Sequence, residues 1–246
     1  MRKVLFMKGS ELRLIEYMEG SKKRFIIPVY QRNYDWKIEN CKQLYDDLIQ
    51  VIKNNSKTHF FGSIVSVYEP SGRNTEFLII DGQQRLTTMS LLFLALYNLL
   101  EEKIIISEDE SLKDQIYEDF LVDKYQPQEK RMKLKPIKND QKAFSKLFNS
   151  KDDYIKDSNL TINYSYFYER IQKQEITIDE LFDAICRLEI INITLNNEDN
   201  PQLIFESLNS TGLDLSEGDK IRNYILMGLP KQKQDEYYEK YWNCIE

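Results

Sequence analysis

Between Ile38 and Lys53 the apolar positions Ile38, Cys41, Leu44, Leu48, Val51 and Ile52 recur at intervals of three and four, which predicts an amphipathic helix. The period then changes. Phe60 to Tyr68 and Thr75 to Ile80 are rich in β-branched and aromatic residues, and Glu69-Pro70-Ser71-Gly72-Arg73-Asn74 between them is a turn by composition, so the two segments predict an antiparallel hairpin. Leu86 to Leu100 follows with helical spacing and length. Upstream, Leu12, Leu14, Ile15 and Met18 predict a helix over Ser10 to Met18, and Arg24 to Val29 reads as a short strand. Downstream the pattern is mostly helical, over Glu108 to Val122, Asp140 to Phe148, Tyr164 to Gln172 and Ile178 to Leu188, with Glu189 to Leu195 as one further strand. A last helix over Pro201 to Leu208 meets a stop at Asn209-Ser210-Thr211-Gly212 and restarts at Ser216 or Glu217. The order predicts an α+β chain, with a sheet-bearing domain over 1–105 and a mainly helical lobe over 106–246.

The hairpin's second strand runs straight into the long helix through Asp81-Gly82-Gln83-Gln84-Arg85. Gly82 permits a turn with positive φ, and the polar residues after it crowd the start of the helix, where backbone amides lack partners and the dipole is positive. Such a corner suits phosphate, with Gly82, Gln83 and Gln84 at the anion, Thr87 in the first turn, and Arg85 as a permanently charged fork. Asp81 beside an anion is repulsive unless it holds Mg²⁺ or orients a water, which points to metal-assisted chemistry. The same residue types also build an ordinary strand-to-helix turn.

Two other segments carry candidate chemistry. Tyr30, Tyr34 and Trp36 alternate around Gln31, Arg32 and Asn33, an arrangement able to stack a base while Arg32 reaches a phosphate, although aromatic residues also fill cores. Over Lys130 to Lys138 the cations Arg131, Lys133 and Lys135 alternate with Met132, Leu134 and Pro136, so a strand would present one basic face to DNA or nucleotide, or serve as a charged edge strand.

Composition prunes the alternatives. With 41% hydrophobic and 30% charged residues the 246-residue chain is an ordinary globular protein, and a net charge of −6 confines any contact with nucleic acid to a local patch. The three cysteines, Cys41, Cys186 and Cys244, lie far apart without C-x-x-C spacing, and no apolar run is long enough to span a bilayer, so a cytoplasmic protein is expected. His59 is the only histidine, which leaves little room for a Ser-His-Asp triad or an H-N-H nuclease. Neither a G-x-x-x-x-G-K-[ST] loop nor a G-x-G-x-x-G fingerprint is present.

Three ordered motifs together resemble one family. Ile80 to Leu86 resembles the D-G-Q-Q-R signature of GmrSD-type, modification-dependent restriction proteins. Pro28-Val29-Tyr30-Gln31-Arg32-Asn33-Tyr34-Asp35-Trp36 resembles that family's Q-R-x-Y-x-W element, and Phe205 to Leu213 with Leu215, Asp219, Arg222 and Asn223 resembles its later F-E-x-L-N-x-x-G-x-x-L element. The resemblance implies a ParB/sulfiredoxin-like amino-terminal domain that binds a nucleoside triphosphate. It implies slow, Mg²⁺-dependent hydrolysis, with Asp81 and Arg85 catalytic and Gln31, Arg32, Asn209, Thr211, Gly212 and Arg222 at the nucleotide. It further implies that this cycle gates recognition or cleavage of modified or foreign DNA, the nuclease residing in a separate carboxy-terminal domain. The chain stops at Glu246 inside an amphipathic pattern, as a truncated protein would. ParB itself has an acid and two arginines where this chain has Gln83, Gln84 and Arg85, so its cytidine preference does not carry over. Two rival readings are a modified-DNA-binding module without turnover and a direct nuclease using Asp81 with Asp219 or Glu206.

Overall fold

The structure, a computed structural model, describes residues 9–72, 74–195 and 216–242. Strands Gly9–Arg13 (β1), Lys23–Ile26 (β2), His59–Ser71 (β3), Asn74–Asp81 (β4), Leu134–Lys135 (β5) and Leu188–Leu195 (β6) form one six-stranded mixed sheet in the order β1-β6-β3-β4-β2-β5. The hairpin β3–β4 is antiparallel as expected, and its turn is tighter than composition suggests because pairing continues to Ser71 and Asn74. β2 runs parallel to both β4 and β5, β3 parallel to β6, and β1 antiparallel to β6. The fold is therefore mixed α/β, and β5 and β6, which lie beyond residue 105, belong to the same sheet as β1 to β4.

Both faces of this sheet are covered. Alternate residues split between them: Ile64, Ile79 and Ile190 join the larger core, while Val65, Ile80 and Ile193 join a second cluster with Tyr30, Leu226 and Tyr238. The larger core holds helices Leu14–Met18 (α1), Ile38–Lys53 (α2), Gln83–Glu101 (α3), Leu112–Gln115 (α4), Lys138–Lys146 (α5), Asn159–Gln172 (α6) and Ile178–Cys186 (α7). The second face is capped by Glu217–Met227 (α8), and by the π-helical turn Tyr238–Trp242 that follows Lys231–Tyr237 (α9). α3 is apolar nearly all round because it lies inside this assembly, buried from Leu86 through Leu96.

Two sequence expectations are corrected. Ser10 to Met18 is not one helix: Gly9–Arg13 pairs with β6, from Gly9 opposite Ile193 to Arg13 opposite Glu189, and only Leu14–Met18 is helical. A long-range partner overrides local spacing. Lys130 to Lys138 is not a basic strand either. Gln128–Lys130 is a 3₁₀ turn, only Leu134–Lys135 pairs in the sheet, and the cations scatter: Arg131 is exposed, Lys135 half-buried and Lys133 buried at 1% exposure. The amine of Lys133 is spent internally, donating to the carbonyls of Gly20 (2.7 Å) and Asp119. The expected helix Pro201 to Leu208 and the turn Asn209 to Gly212 lie outside the described residues, while the predicted restart is observed with Ser216 as its cap. No helix among the described residues is long and apolar enough to cross a membrane.

Candidate functional site

The end of β4 and the start of α3 meet at Gly82, which sits at φ 92°, ψ 8° and serves as the helix N-cap. A Cβ there would lie 3.0 Å from the carbonyl oxygen of Ser63 and 3.0 Å from Ile64 Cγ1, so glycine is required by conformation and by space. Having no side chain, it leaves the first amides of a nineteen-residue helix uncapped. This is the anion-suited geometry the sequence predicts at this corner.

Arg85 is held from below. A register shift in the β3–β6 pairing falls between Phe60 and Gly62, and Gly62 has φ 130°. Its ideal Cβ would come 2.5 Å from Arg85 Nε and 2.7 Å from Cζ, so the guanidinium lies across the bare backbone of the strand. One arm donates to the Ser63 carbonyl at 3.2 Å. No carboxylate of the described residues pairs with Arg85 or with Arg32, and both are half-buried. Asp81, also half-buried, ends β4 opposite Val65.

The loop carrying Arg32 is fastened to this corner at several points. Gln31 Nε2 donates to the Ile80 carbonyl at 2.8 Å. Gln84 Oε1 accepts from the amides of Asp35 (2.9 Å) and Trp36 (3.1 Å), and its Nε2 donates to the Asn33 carbonyl at 3.1 Å. Asp140 accepts the Tyr34 amide at 2.6 Å, Asn159 donates to the Tyr34 carbonyl, and Asn163 donates to the Trp36 carbonyl. Burial pushes the Asp140 carboxyl up to about 6, against the lowering effect of that amide.

Several predicted contacts are thereby corrected. Gln84 is not free for phosphate, because three bonds commit its side chain to the loop. Gln31 likewise acts on the end of β4. Tyr34 does not offer a stacking face: it is 5% exposed, its hydroxyl lies 2.7 Å from Thr88 Oγ1 and accepts from Asn163. Tyr30 is equally buried, in the second cluster, and Trp36 packs partly against the main core. Thr87 and Gln83 are buried at the helix start. Lys133 is removed from any basic face, and burial lowers its amine to about 8.

The third motif arrives through α8. Arg222, 2% exposed, donates from Nε to the Tyr30 carbonyl at 3.0 Å and from Nη2 to Asp219 at 2.6 Å, while Asp219 also accepts from the Ser216 hydroxyl. Arg222 thus ties α8 to the loop that holds Arg32, a positioning part that its charge alone did not suggest. Asn209, Thr211, Gly212 and Glu206 lie outside the described residues. Among the described residues no three His, Cys, Asp or Glu side chains gather to hold a metal. A carboxylate set of Asp81 with Asp219 therefore has no third member here, and Asp219 is already engaged by Arg222. A lone carboxylate does fit Mg²⁺ of the kind whose other ligands are phosphate oxygens and water.

Three segments far apart in sequence, 30–36, 80–85 and 219–222, thus meet at one corner. None of the curated proteins matches this chain. The family model described as GmrSD restriction endonuclease, N-terminal domain, matches residues 14–226 and so takes in all three segments. The chain belongs to the GmrSD restriction endonuclease family, in its N-terminal domain, and its role lies in a restriction system.

Proposed function

We propose that the β4–α3 corner binds a nucleoside triphosphate and hydrolyses it slowly with Mg²⁺, and that this cycle gates recognition or cleavage of modified or foreign DNA. One observation carries the reading: Arg85 stands at an uncapped helix start and Arg32 lies on the loop fastened to that corner, both half-buried and without a carboxylate partner among the described residues. Half-buried guanidinium groups without an anion are unfavourable, and a bound polyphosphate would answer both. In this reading the amides of Gln83, Gln84 and Arg85 bind phosphate oxygens, and Arg32 and Arg85 neutralise charge on the transferred group. Asp81 would hold Mg²⁺, which supplies electrophilic activation of the phosphate, or orient the attacking water. Gln31, Gln84 and Arg222 keep the arginine loop in place. Strands β1 to β4 with α1 to α3 would correspond to the ParB/sulfiredoxin-like domain over 1–105, its sheet completed by β5 and β6 from beyond it, and α5 to α7 to a helical lobe, in a protein acting in the cytoplasm.

The test is phosphate release from each of the four ribonucleoside triphosphates with Mg²⁺. Asp81→Ala and Arg85→Ala should each abolish release, and Arg32→Ala should lower triphosphate affinity more than tenfold by calorimetry while the fold survives. Failure of all four triphosphates to bind the unaltered protein would overturn the proposal.

A further inference from the structure

Burial of Tyr30 and Tyr34 leaves the arginine loop without an open tyrosine ring for a base. An open ring stands on the adjoining strand instead. Phe60 leaves 64% of its surface exposed, and no aromatic side chain among the described residues packs on its ring. It lies two positions before Gly62, the bare stretch of β3 over which the Arg85 guanidinium rests. Strand register fixes the face on which it projects. Ile193 belongs to the second cluster and Ile191 packs against it, so Glu189, next in that alternation, is on the same face of β6. Phe60 pairs with Glu189, Ser63 with Ile191 and Val65 with Ile193, and Asp81 lies opposite Val65 on the other side of β3. Phe60, Glu189 and Asp81 therefore share one face of the sheet. The second cluster covers that face at Val65, Ile80 and Ile193, but Ser63 and Glu189 are only half-buried. The Glu189 carboxylate has no hydrogen-bond or ion-pair partner among the described residues. Both groups lie in line from the corner: the sheet order runs from β4, which leads into α3, to Phe60 on β3 and Glu189 on β6, successive strands being about 4.8 Å apart.

We infer that Phe60 and Glu189 hold the base of the nucleotide whose phosphates bind at the corner, the base stacked on the Phe60 ring and an N–H of its outer edge donating to the Glu189 carboxylate. The inference rests on the triphosphate reading of the corner and adds the subsite that separates a nucleotide from a bare polyphosphate. Every base has a π-face for the ring, and each of the four ribonucleotide bases carries an N–H donor on its pairing edge, so the two side chains select for a base without selecting among bases.

The experiment uses the full chain and compares, by calorimetry with Mg²⁺, its affinity for the four ribonucleoside triphosphates and for inorganic tripolyphosphate, which has no base. The nucleotide should bind more tightly. Phe60→Ala should weaken it about tenfold, the loss of one stack, and leave tripolyphosphate unchanged. Because the ring is exposed, this variant should melt with its parent. Phe60→Trp should keep the nucleotide, and the added fluorescence should be quenched by nucleotide and not by tripolyphosphate. Removing the Glu189 charge favours any polyphosphate, so Glu189→Ala is read as the ratio of the two affinities, which should fall several-fold. A ratio that Glu189→Ala does not move takes the carboxylate out of the subsite. A ratio that Phe60→Ala does not move overturns the inference and leaves the corner standing, whereas failure of both ligands to bind the unaltered protein overturns the corner and this subsite with it.

Discussion

Gln84→Ala separates a ligand contact from a scaffold contact. The side chain makes three hydrogen bonds of 2.9, 3.1 and 3.1 Å to backbone groups of Asn33, Asp35 and Trp36, and it is 7% exposed. At about 1 kcal/mol net for each neutral bond, its removal should destabilise the protein by about 3 kcal/mol. With a urea slope of about 3 kcal/mol/M for a chain of this size, the unfolding midpoint should drop by about 1 M. Triphosphate affinity should fall as well, because the released loop carries Arg32, but in parallel with the loss of stability. Urea melts followed by tryptophan fluorescence, together with calorimetric titration of a triphosphate, measure both quantities. If Gln84→Ala unfolds within about 0.5 kcal/mol of the parent yet loses triphosphate tenfold, the scaffold argument fails and the glutamine touches the ligand directly.

Three further outcomes can be checked. Gly62→Ala should displace Arg85, because its new methyl would stand 2.5 Å from Nε at a φ of 130°, and the strain should remove about 1–3 kcal/mol of stability; its effect on triphosphate affinity should not add to that of Arg85→Ala in a double-mutant cycle, and full additivity would refute the contact. Burial sets the Lys133 amine near 8 instead of 10.5, so the unfolded chain holds more protons between those values and stability should rise from about pH 8 to pH 10.5, by at most about 1.4 kcal/mol per pH unit. Lys133→Met should flatten that rise in urea melts taken across the range, and a parent that is already flat contradicts the burial argument. Asp140, raised from 3.8 to about 6, works in the opposite direction: the folded state holds the extra proton, so its contribution is lost as pH climbs from about 4 to about 6, and Asp140→Asn should remove that decline while keeping an acceptor for the Tyr34 amide.

Periodicity located what local chemistry decides. The helix at Ile38–Lys53 begins and ends where its apolar spacing does, and the hairpin and the strand-to-helix corner were legible from branched runs broken by Gly72 and Gly82. β1 was not, because Leu12, Leu14, Ile15 and Met18 satisfy a helical period and only β6, some 180 residues later, supplies the competing partner. The candidate site divides along the same line. Asp81, Gly82 and Arg85 sit at the end of β4 and the start of α3, and Arg32 lies on the loop fastened there by Gln31 and Gln84. Gln84, Gln31, Tyr34 and Lys133 look alike in sequence to ligand-facing residues, yet their polar atoms satisfy backbone and side-chain groups of the chain itself. Residue type states what a side chain can bind; only packing states whether a carbonyl has already claimed it. Gly62 gave no signal, since nothing local shows that an arginine 23 positions later will lie on it.

The bond from Arg222 to the Tyr30 carbonyl joins positions 192 residues apart. During synthesis the hairpin, the corner and the arginine loop all leave the ribosome long before α8 exists, so the loop's carbonyl must wait for its donor. Maturation of the corner is thereby coupled to the synthesis of α8, and a nascent chain or a fragment cut before α8 would carry Arg32, Asp81 and Arg85 without the clasp on their loop.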